Sequence, residues 1–270
     1  MKNLFLFLFL LVVFTSKAQD NRVSGLNSRQ FTKYWKVESE SPDYKVTFQG
    51  DTAEIVSPKG LTLWRKEKMS GKVTIEYDAC VVVESDGDRL SDLNCFWMAS
   101  DPQYPDNLWK REKWRSGIFL NCYSLQLYYL GYGGNHNSTT RFRRYDGDES
   151  GITNPKARPA ILKEYTDAGH LLKPNHWYHI KITNENNRVS YYIDGERLVD
   201  FRDAEPLREG WFGFRTTLSR TRITNFSYEC SSQEATAVPL QWIGETPRQD
   251  KVVSFGVPFD KGEVFPENKL

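Results

Sequence analysis

The sequence predicts an all-β protein that folds as an antiparallel β-sandwich. Short runs rich in Val, Ile, Leu, Tyr, Phe and Trp alternate along the chain with clusters of Gly, Asp, Ser and Pro, as in strands joined by turns. No segment of appreciable length has the apolar repeat of a helix. Because no helix is available to cover a sheet, one sheet must pack on another.

The predicted strands follow one another through most of the chain. They are Tyr44–Phe48, Ala53–Val56, Leu61–Trp64, Val73–Val83, Leu93–Ala99, Gly117–Cys122, Leu125–Tyr129, Thr139–Tyr145, Trp177–Thr183, Gly210–Thr216 and Arg222–Glu229. In Arg188–Phe201, alternating apolar residues flank Asp194–Gly195, a dipeptide that favours a two-residue hairpin turn. Residues 101–116 and 146–175 are long irregular stretches, and loops of that length are often functional.

The amino terminus is predicted to be a signal peptide. Lys2 precedes an apolar run from Leu4 to Phe14 that is too short to span a bilayer, and Ser16 and Ala18 fit a signal-peptidase site. No Cys follows this run, so a lipid anchor is not indicated. We expect a signal peptide at 1–18, a sandwich domain at 19–232, and a linker and tail at 233–270, exported to the periplasm or outside the cell.

Composition and motifs exclude several classes of function. Cleavage after Ala18 removes two lysines and leaves 34 basic against 35 acidic side chains, so the net charge of about −1 indicates no nucleic-acid partner. No later stretch is apolar enough for a membrane helix. The chain lacks a nucleophile elbow, a P-loop and a dinucleotide glycine motif. Its four cysteines do not have the spacing of zinc ligands, and free thiols are favoured over an essential disulfide. No metal or cofactor is predicted.

Several motifs resemble carbohydrate-related jelly rolls. Three resemble the carboxy-terminal half of concanavalin-A-like folds, which include lectin domains, glycoside hydrolases and alginate-lyase-like enzymes: Asn175-His-Trp-Tyr-His-Ile-Lys-Ile-Thr, Val189-Ser-Tyr-Tyr-Ile-Asp-Gly-Glu and Gly210-Trp-Phe-Gly-Phe-Arg. With the last of these, residues 92–99 and 131–146 resemble a jelly-roll family of bacterial polysaccharide-utilisation systems, over residues 34–230. The tail motifs Val238-Pro-Leu-Gln-Trp and Val253-Ser-Phe-Gly-Val-Pro resemble the start of exo-rhamnogalacturonan-lyase-like β domains. The resemblance implies a jelly-roll fold and a uronate-containing glycan such as ulvan, pectin or rhamnogalacturonan.

One window, residues 128–146, concentrates polar and aromatic side chains. In a strand over 139–145, Thr139, Arg141, Arg143 and Tyr145 share one face, because successive residues alternate sides. Arginine offers a carboxylate a planar, two-pronged donor that lysine cannot match. The window therefore predicts a site for an acidic sugar, although its glycines can equally build a tight turn and its arginines can lie on a solvated face.

The same window suggests β-elimination from a uronate. That reaction needs a base for the C5 proton, a group that stabilises the enolate, and an acid for the leaving oxygen. We predict His136 as the base, Arg141 with Asn135 as the stabilising pair, and Tyr145 or Tyr132 as the acid. A sugar leaving group makes the protein a polysaccharide lyase, whereas water as the leaving group makes it an oligosaccharide dehydratase.

Other residues are predicted to contact the sugar without taking part in proton transfer. Trp109 and Trp114 offer rings for stacking beside Arg115 in the first long loop, and Arg215 alternates with core phenylalanines and so faces away from the core. The remaining predicted contacts are Tyr129, Asn137, Arg143 and His170. Asp86, Asp88 and Asp92 fit a solvated turn better than a calcium loop.

Two alternatives to elimination stay open. The first is a non-catalytic carbohydrate-binding module on the same fold. The second is a glycoside hydrolase that uses Asp146, Asp148 and Glu149, the clustered carboxylates of the second long loop. The expected partner in every case is an acidic oligosaccharide or polysaccharide, and the sequence leaves the oligomeric state open.

Overall fold

The computed structural model describes residues 22–231. The predicted signal peptide at 1–18 and the tail at 233–270 lie outside these residues. The described strands are β1 (Val23–Ser24), β2 (Trp35–Ser39), β3 (Lys45–Gln49), β4 (Thr52–Arg65), β5 (Met69–Ser70), β6 (Lys72–Val81), β7 (Leu93–Ser100), β8 (Gln126–Gly133), β9 (Thr139–Asp146), β10 (Lys163–Tyr165), β11 (Tyr178–Glu185), β12 (Arg188–Ile193), β13 (Glu196–Arg202) and β14 (Glu209–Ser231).

Helical structure in the described range is confined to single turns. Short α-helical turns lie at Phe31–Tyr34, Glu112–Arg115 and Ser150–Thr153. Turns of 3-10 helix lie at Leu108–Arg111, Leu120–Ser124, Pro155–Ala157 and Ala168–His170. Gly134–Asn137 forms a short turn in which Asn135 and His136 have left-handed φ and ψ angles.

The strands form an antiparallel jelly-roll sandwich whose two layers share strands β4 and β14. The front sheet has the order β10-β9-β8-β7-β14-β4-β2, and the back sheet has the order β3-β4-β14-β6-β11-β12-β13. The two layers enclose the main apolar core. The sandwich predicted from the sequence is therefore confirmed.

Strand β14 passes from one sheet to the other at a bulge. Its register against β4 shifts between Thr217 and Ser219, and Leu218 between them has a left-handed φ of 49°. A bulge bends a strand sharply, which lets one strand serve two layers. The prediction of separate strands was wrong here: Gly210–Thr216 and Arg222–Glu229 belong to β14, and Ala53–Val56 and Leu61–Trp64 belong to β4.

Aromatic side chains fill the space between the sheets. Phe212 and Phe214 point inward from β14, and the ring of Phe214 lies 5.5 Å from that of Trp35 and 4.9 Å from that of Tyr77. Each large ring buried this way contributes about 1.5–3 kcal/mol. Because side chains alternate along a strand, Arg215 leaves the core on the opposite face, as the sequence predicts.

The hairpin predicted at Arg188–Phe201 is also confirmed. Strands β12 and β13 pair across Asp194 and Gly195, which have φ angles of 50° and 83°. Two positive φ values in the loop are typical of the turn that matches the strand twist.

Residues 101–125, here called the excursion, cover part of the outer face of the front sheet. The predicted strand Gly117–Cys122 was wrong, because this part of the excursion leads into the 3-10 turn Leu120–Ser124. Its apolar residues Phe119, Cys122 and Leu125 recur every third position, which is the period of a 3-10 turn. They pack on the sheet with Trp64, Phe96 and Trp211.

A buried ion pair fastens the excursion to the sheet. The fully buried guanidinium of Arg115 donates to Glu38 on β2 over 3.0 Å and to the carbonyl oxygen of Leu108 over 2.7 Å, and lies 3.7 Å from buried Asp101. Burial raises the pKa of Glu38 even though the charge of Arg115 opposes this. Arg115 is thus a structural residue, and its predicted contact with a sugar was wrong because no part of it reaches solvent.

We expect Arg115→Met to lower the free energy of unfolding by about 3–5 kcal/mol, because the change leaves Glu38 buried without its partner. Urea denaturation measures the difference. Arg188→Met, which removes an exposed pair with Asp200, serves as the control and costs less than about 1 kcal/mol. A loss for Arg115→Met no larger than that of the control would contradict the assigned role.

Candidate functional site

The outer face of the front sheet holds a cleft of about 470 Å³. Strands β7, β8, β9 and β14 form its floor. Phe119, Leu120 and Tyr123 of the excursion line one side, and Asn135 and His136 of the turn between β8 and β9 line another. The cleft thus brings together residues from distant parts of the sequence.

Strand pairing sets the order of side chains across the floor. Arg215 pairs with Asn94, Asn94 with Gly131, and Gly131 with Arg141. Residues paired this way lie side by side on the same face, about 4.8 Å from strand to strand. The row across the sheet therefore consists of an arginine, an amide, a glycine without a side chain, and a second arginine.

Strand β9 presents the face that the sequence predicts. Thr139, Arg141, Arg143 and Tyr145 all line the cleft. Tyr145 lies at its base, fully buried, and its hydroxyl makes no hydrogen bond within residues 22–231. Burial raises the pKa of Tyr145 well above its usual value, so the phenol stays protonated.

Gly131 leaves room for the ring of Tyr129. A Cβ atom at position 131 would come within 2.3 Å of the Tyr129 hydroxyl oxygen, so any side chain there would displace the phenol. Burial raises the pKa of Tyr129, which keeps this hydroxyl protonated too. Of the three glycines predicted to build a turn, Gly131 therefore serves close packing, whereas Gly133, with a φ of 66°, does begin the turn.

The turn that carries His136 is left-handed. Asn135, His136 and Asn137 have φ angles of 51°, 59° and 58°, a conformation that costs a residue other than glycine about 1–2 kcal/mol. The side chain of Asn137 donates to the carbonyl oxygen of Leu172 over 2.9 Å and accepts from its N–H over 2.8 Å. Asn137, predicted to bind sugar, thus anchors the turn instead.

His136 itself is exposed at the edge of the cleft. Its imidazole makes no hydrogen bond or ion pair within the described residues, whereas neighbouring Asn135 donates to the Thr139 hydroxyl over 3.1 Å. A strained backbone that presents a side chain without a hydrogen-bond partner to a cleft, as at His136, is a feature of functional sites.

Arginine dominates the charge of the cleft. Five arginines line it, Arg89, Arg141, Arg143, Arg158 and Arg215, against the two lining carboxylates of Glu40 and Asp92, and Arg141 also pairs with Glu164 on β10. Arg215 is only 3% exposed, donates to the carbonyl oxygen of Gly117 and lies over the ring of Phe119. The excess of positive charge favours an anionic ligand.

Several predicted residues lie away from the cleft. Tyr132 faces the core, where its hydroxyl donates to the carbonyl oxygen of Leu171 over 3.3 Å, so it cannot serve as the acid. His170 stacks on Tyr165 with ring centres 4.0 Å apart. Trp109 packs against Trp211, and Trp114, although 44% exposed, lies under Arg111 on the excursion.

The carboxylates proposed for a hydrolase also lie elsewhere. Glu149 pairs with Arg111, and Asp148 accepts hydrogen bonds from Ser150. Neither these two nor Asp146 lines the cleft. Within residues 22–231, no group of three or more His, Cys, Asp or Glu side chains is arranged to hold a metal ion, and no helix is long and apolar enough to cross a membrane.

Sequence reasoning missed about half of the cleft lining. Asn94 and Asp92 stand among the apolar residues of β7 and the turn before it, and that polar interruption of a core strand was the available signal. Glu40, Arg89 and Arg158 come from turns and loops, where no sequence repeat predicts the direction in which a side chain points. Phe119 lies within the predicted strand Gly117–Cys122, which does not form, and Tyr123 directly follows it.

Comparisons with known proteins place the fold. Residues 55–226 match the family described as "Domain of unknown function (DUF6250)". Among curated proteins, no sequence matches the chain.

Solved structures match at low identity. A Bacillus subtilis protein of unknown function with a galectin-like fold is 15% identical, with a TM-score of 0.62 over 79% of this chain and 96% of that one. The exoplasmic/lumenal domain of VIP36, bound to Ca²⁺ and Man3GlcNAc, is 9% identical, with a TM-score of 0.52 over 80% and 90%. The carbohydrate binding module CBM66 from Bacillus subtilis has a TM-score of 0.48 at 15% identity, over 72% and 94%. The first two of these matches show a galectin-like and concanavalin-A-like sandwich fold.

His170 generates a prediction of pH dependence. Burial alone would lower its pKa, but hydrogen bonds from its ring to Asp167 over 2.8 Å and to Glu196 over 3.2 Å raise the pKa above its usual value. The folded state therefore binds the proton more tightly, and the resulting stability is present below about pH 6.5 and lost as pH rises through the raised pKa.

We expect His170→Asn to destabilise the protein by up to about 1 kcal/mol at pH 5.5 and by less at pH 9, as followed by thermal unfolding. An equal loss at both pH values would show that charge on His170 contributes nothing.

Proposed function

This chain belongs to the DUF6250 family, and we propose that it binds acidic oligosaccharides in the arginine-lined cleft of its lectin-like sandwich. The observation that carries this proposal is the surplus of guanidinium groups on one concave surface: five arginines line it, and two of them, Arg143 and Arg158, have no carboxylate partner among residues 22–231. Guanidinium groups bind carboxylate and sulfate oxygens through paired, charge-assisted hydrogen bonds.

The remaining lining suits a sugar. Phe119 and Leu120 offer partly exposed apolar surface, on which the C–H face of a pyranose ring can pack. Asn135 and Thr139 add neutral polar groups for hydroxyls. The VIP36 domain, whose structure holds Man3GlcNAc, has the same general fold, which supports a carbohydrate as the ligand class.

Export is part of the proposal. The signal peptide predicted at residues 1–18 would deliver the protein to the periplasm or the cell exterior, where acidic polysaccharides are met.

A second candidate function is β-elimination from a bound uronate, by a lyase or a dehydratase. The observation that favours it is His136, which is held on the left-handed turn with an uncommitted imidazole beside Asn135 and Arg141. In this scheme His136 takes the C5 proton, Arg141 and Asn135 stabilise the enolate, and an acid protonates the leaving oxygen. Tyr129 suits the acid better than Tyr145, because Tyr129 is 8% exposed with its hydroxyl beside Gly131, whereas Tyr145 is fully buried.

We expect Arg143→Gln to weaken binding of an oligogalacturonate by about tenfold, because a charge-assisted hydrogen bond contributes about 1.5–3 kcal/mol when it is formed. Isothermal titration calorimetry at two salt concentrations measures both the affinity and its salt dependence. Arg188→Gln, on the far hairpin, is the matched control and should bind as the wild type does. Unchanged affinity in Arg143→Gln would argue against the cleft as the binding site.

For elimination, we expect absorbance to rise at about 235 nm when the wild type is incubated with uronate oligosaccharides, and expect His136→Ala to abolish the rise. Mass spectrometry separates a shortened chain, which indicates a lyase, from loss of water alone, which indicates a dehydratase. Binding without any rise in absorbance would leave the protein a binding module.

A further inference from the structure

We infer that the cleft binds a glycan of alternating charged and uncharged sugars. An acidic sugar lies at the Arg143–Arg158 end, and an adjacent uncharged sugar lies at the Asp92–Asn94 end. This inference rests on the proposed function and assigns a substrate class to it. Its basis is that the arginines at one end of the cleft have carboxylate partners, whereas those at the other end have none among residues 22–231.

At the acidic-sugar end, two arginines have no carboxylate partner among residues 22–231. Arg143 donates to the carbonyl oxygen of Pro159, and Arg158 donates to that of Gly151 over 3.2 Å while its guanidinium lies 5.6 Å from the ring centre of Tyr123. A carbonyl oxygen satisfies a donor but does not cancel a charge. The positive charge of this end therefore remains available to an anion.

At the other end, each arginine already faces a carboxylate. Arg89 lies 3.1 Å from Asp92, and Arg215 lies 4.0 Å from Glu40. A second carboxylate brought here would meet two negative groups and find no uncompensated cation. This end therefore disfavours an acidic sugar.

Asn94 shows what this end accepts. Its side chain is 6% exposed, and its amide nitrogen donates to the Asp92 carboxylate over 3.2 Å. Asp92 also accepts from Arg89 and Ser91, so the amide must direct its NH₂ group toward Asp92. The Asn94 carbonyl oxygen is left buried without a hydrogen bond within the described residues.

An unsatisfied buried acceptor calls for a donor. Leaving such an atom unpaired is costly, and a sugar hydroxyl can supply the missing hydrogen bond whereas a carboxylate cannot. Asn94 is therefore a specificity-determining residue that selects a hydroxyl at this position.

The strand spacing sets the size of the ligand. Asn94 lies on β7 and Arg143 on β9, with β8 between them. Two strand spacings amount to about 10 Å, which is longer than a single pyranose ring. The two ends therefore address neighbouring sugar units.

The test compares two probes of equal length by isothermal titration calorimetry: a rhamnogalacturonan oligosaccharide, in which galacturonate alternates with neutral rhamnose, and an oligogalacturonate, in which every unit is charged. We expect the alternating probe to bind about tenfold more tightly. Arg158→Gln should weaken both probes by a similar factor. Asn94→Leu should weaken only the alternating probe and remove the preference.

Thermal unfolding checks that each variant is folded, and Asn94→Ser replaces Asn94→Leu if the latter is not. Arg188→Gln is the control for loss of a surface arginine, and should retain both affinities. The inference is overturned, while the proposed function stands, if the wild type binds the two probes equally. It is also overturned if the preference for the alternating probe survives substitution of Asn94. A wild type that binds neither probe overturns both.

Discussion

The cleft depends on one buried ion pair, Arg115 with Glu38. The pair attaches the excursion to β2, and the backbone N–H of Gly117 adds a hydrogen bond to the same carboxylate over 3.4 Å. Gly117 can lie there because it has no side chain: a Cβ atom would come within 2.8 Å of the Glu38 carbonyl oxygen. The carbonyl oxygen of Gly117 in turn receives the guanidinium of Arg215. One wall of the cleft and one of its cations are thus positioned together.

The two faces of the sandwich use charge differently. On the outer face of the back sheet, Arg220 and Arg222 each pair with Glu54 and Glu84, so positive and negative groups balance. On the front sheet the cleft keeps arginines without carboxylate partners. Strand β14 runs through both sheets, so it carries the paired Arg220 and Arg222 on the back sheet and lines the cleft with Arg215 and Thr217 on the front sheet, whereas the unpaired Arg143 lies on β9.

Strain at the site is balanced by contacts behind it. The left-handed residues Asn135, His136 and Asn137 are held by the paired hydrogen bonds of Asn137 with Leu172. The hydroxyl of Thr140 donates to the carbonyl oxygen of His170 over 2.6 Å, which binds the same loop to the start of β9. The second long loop therefore supports the turn from the side opposite the cleft, and the exposed imidazole of His136 remains uncommitted.

The sequence by itself determined the sandwich, the Arg188–Phe201 hairpin, the shared face of β9 and the outward direction of Arg215. These features follow from alternation along a strand and from turn residues, which are local properties. Only the tertiary structure decided that Arg115 is buried, that Tyr132 faces the core, that Gly117–Cys122 does not form a strand, and that Asn94 and Arg158 meet Arg143 in one cleft. The physical reason is that burial and convergence depend on packing between segments far apart in the chain, which no local repeat records.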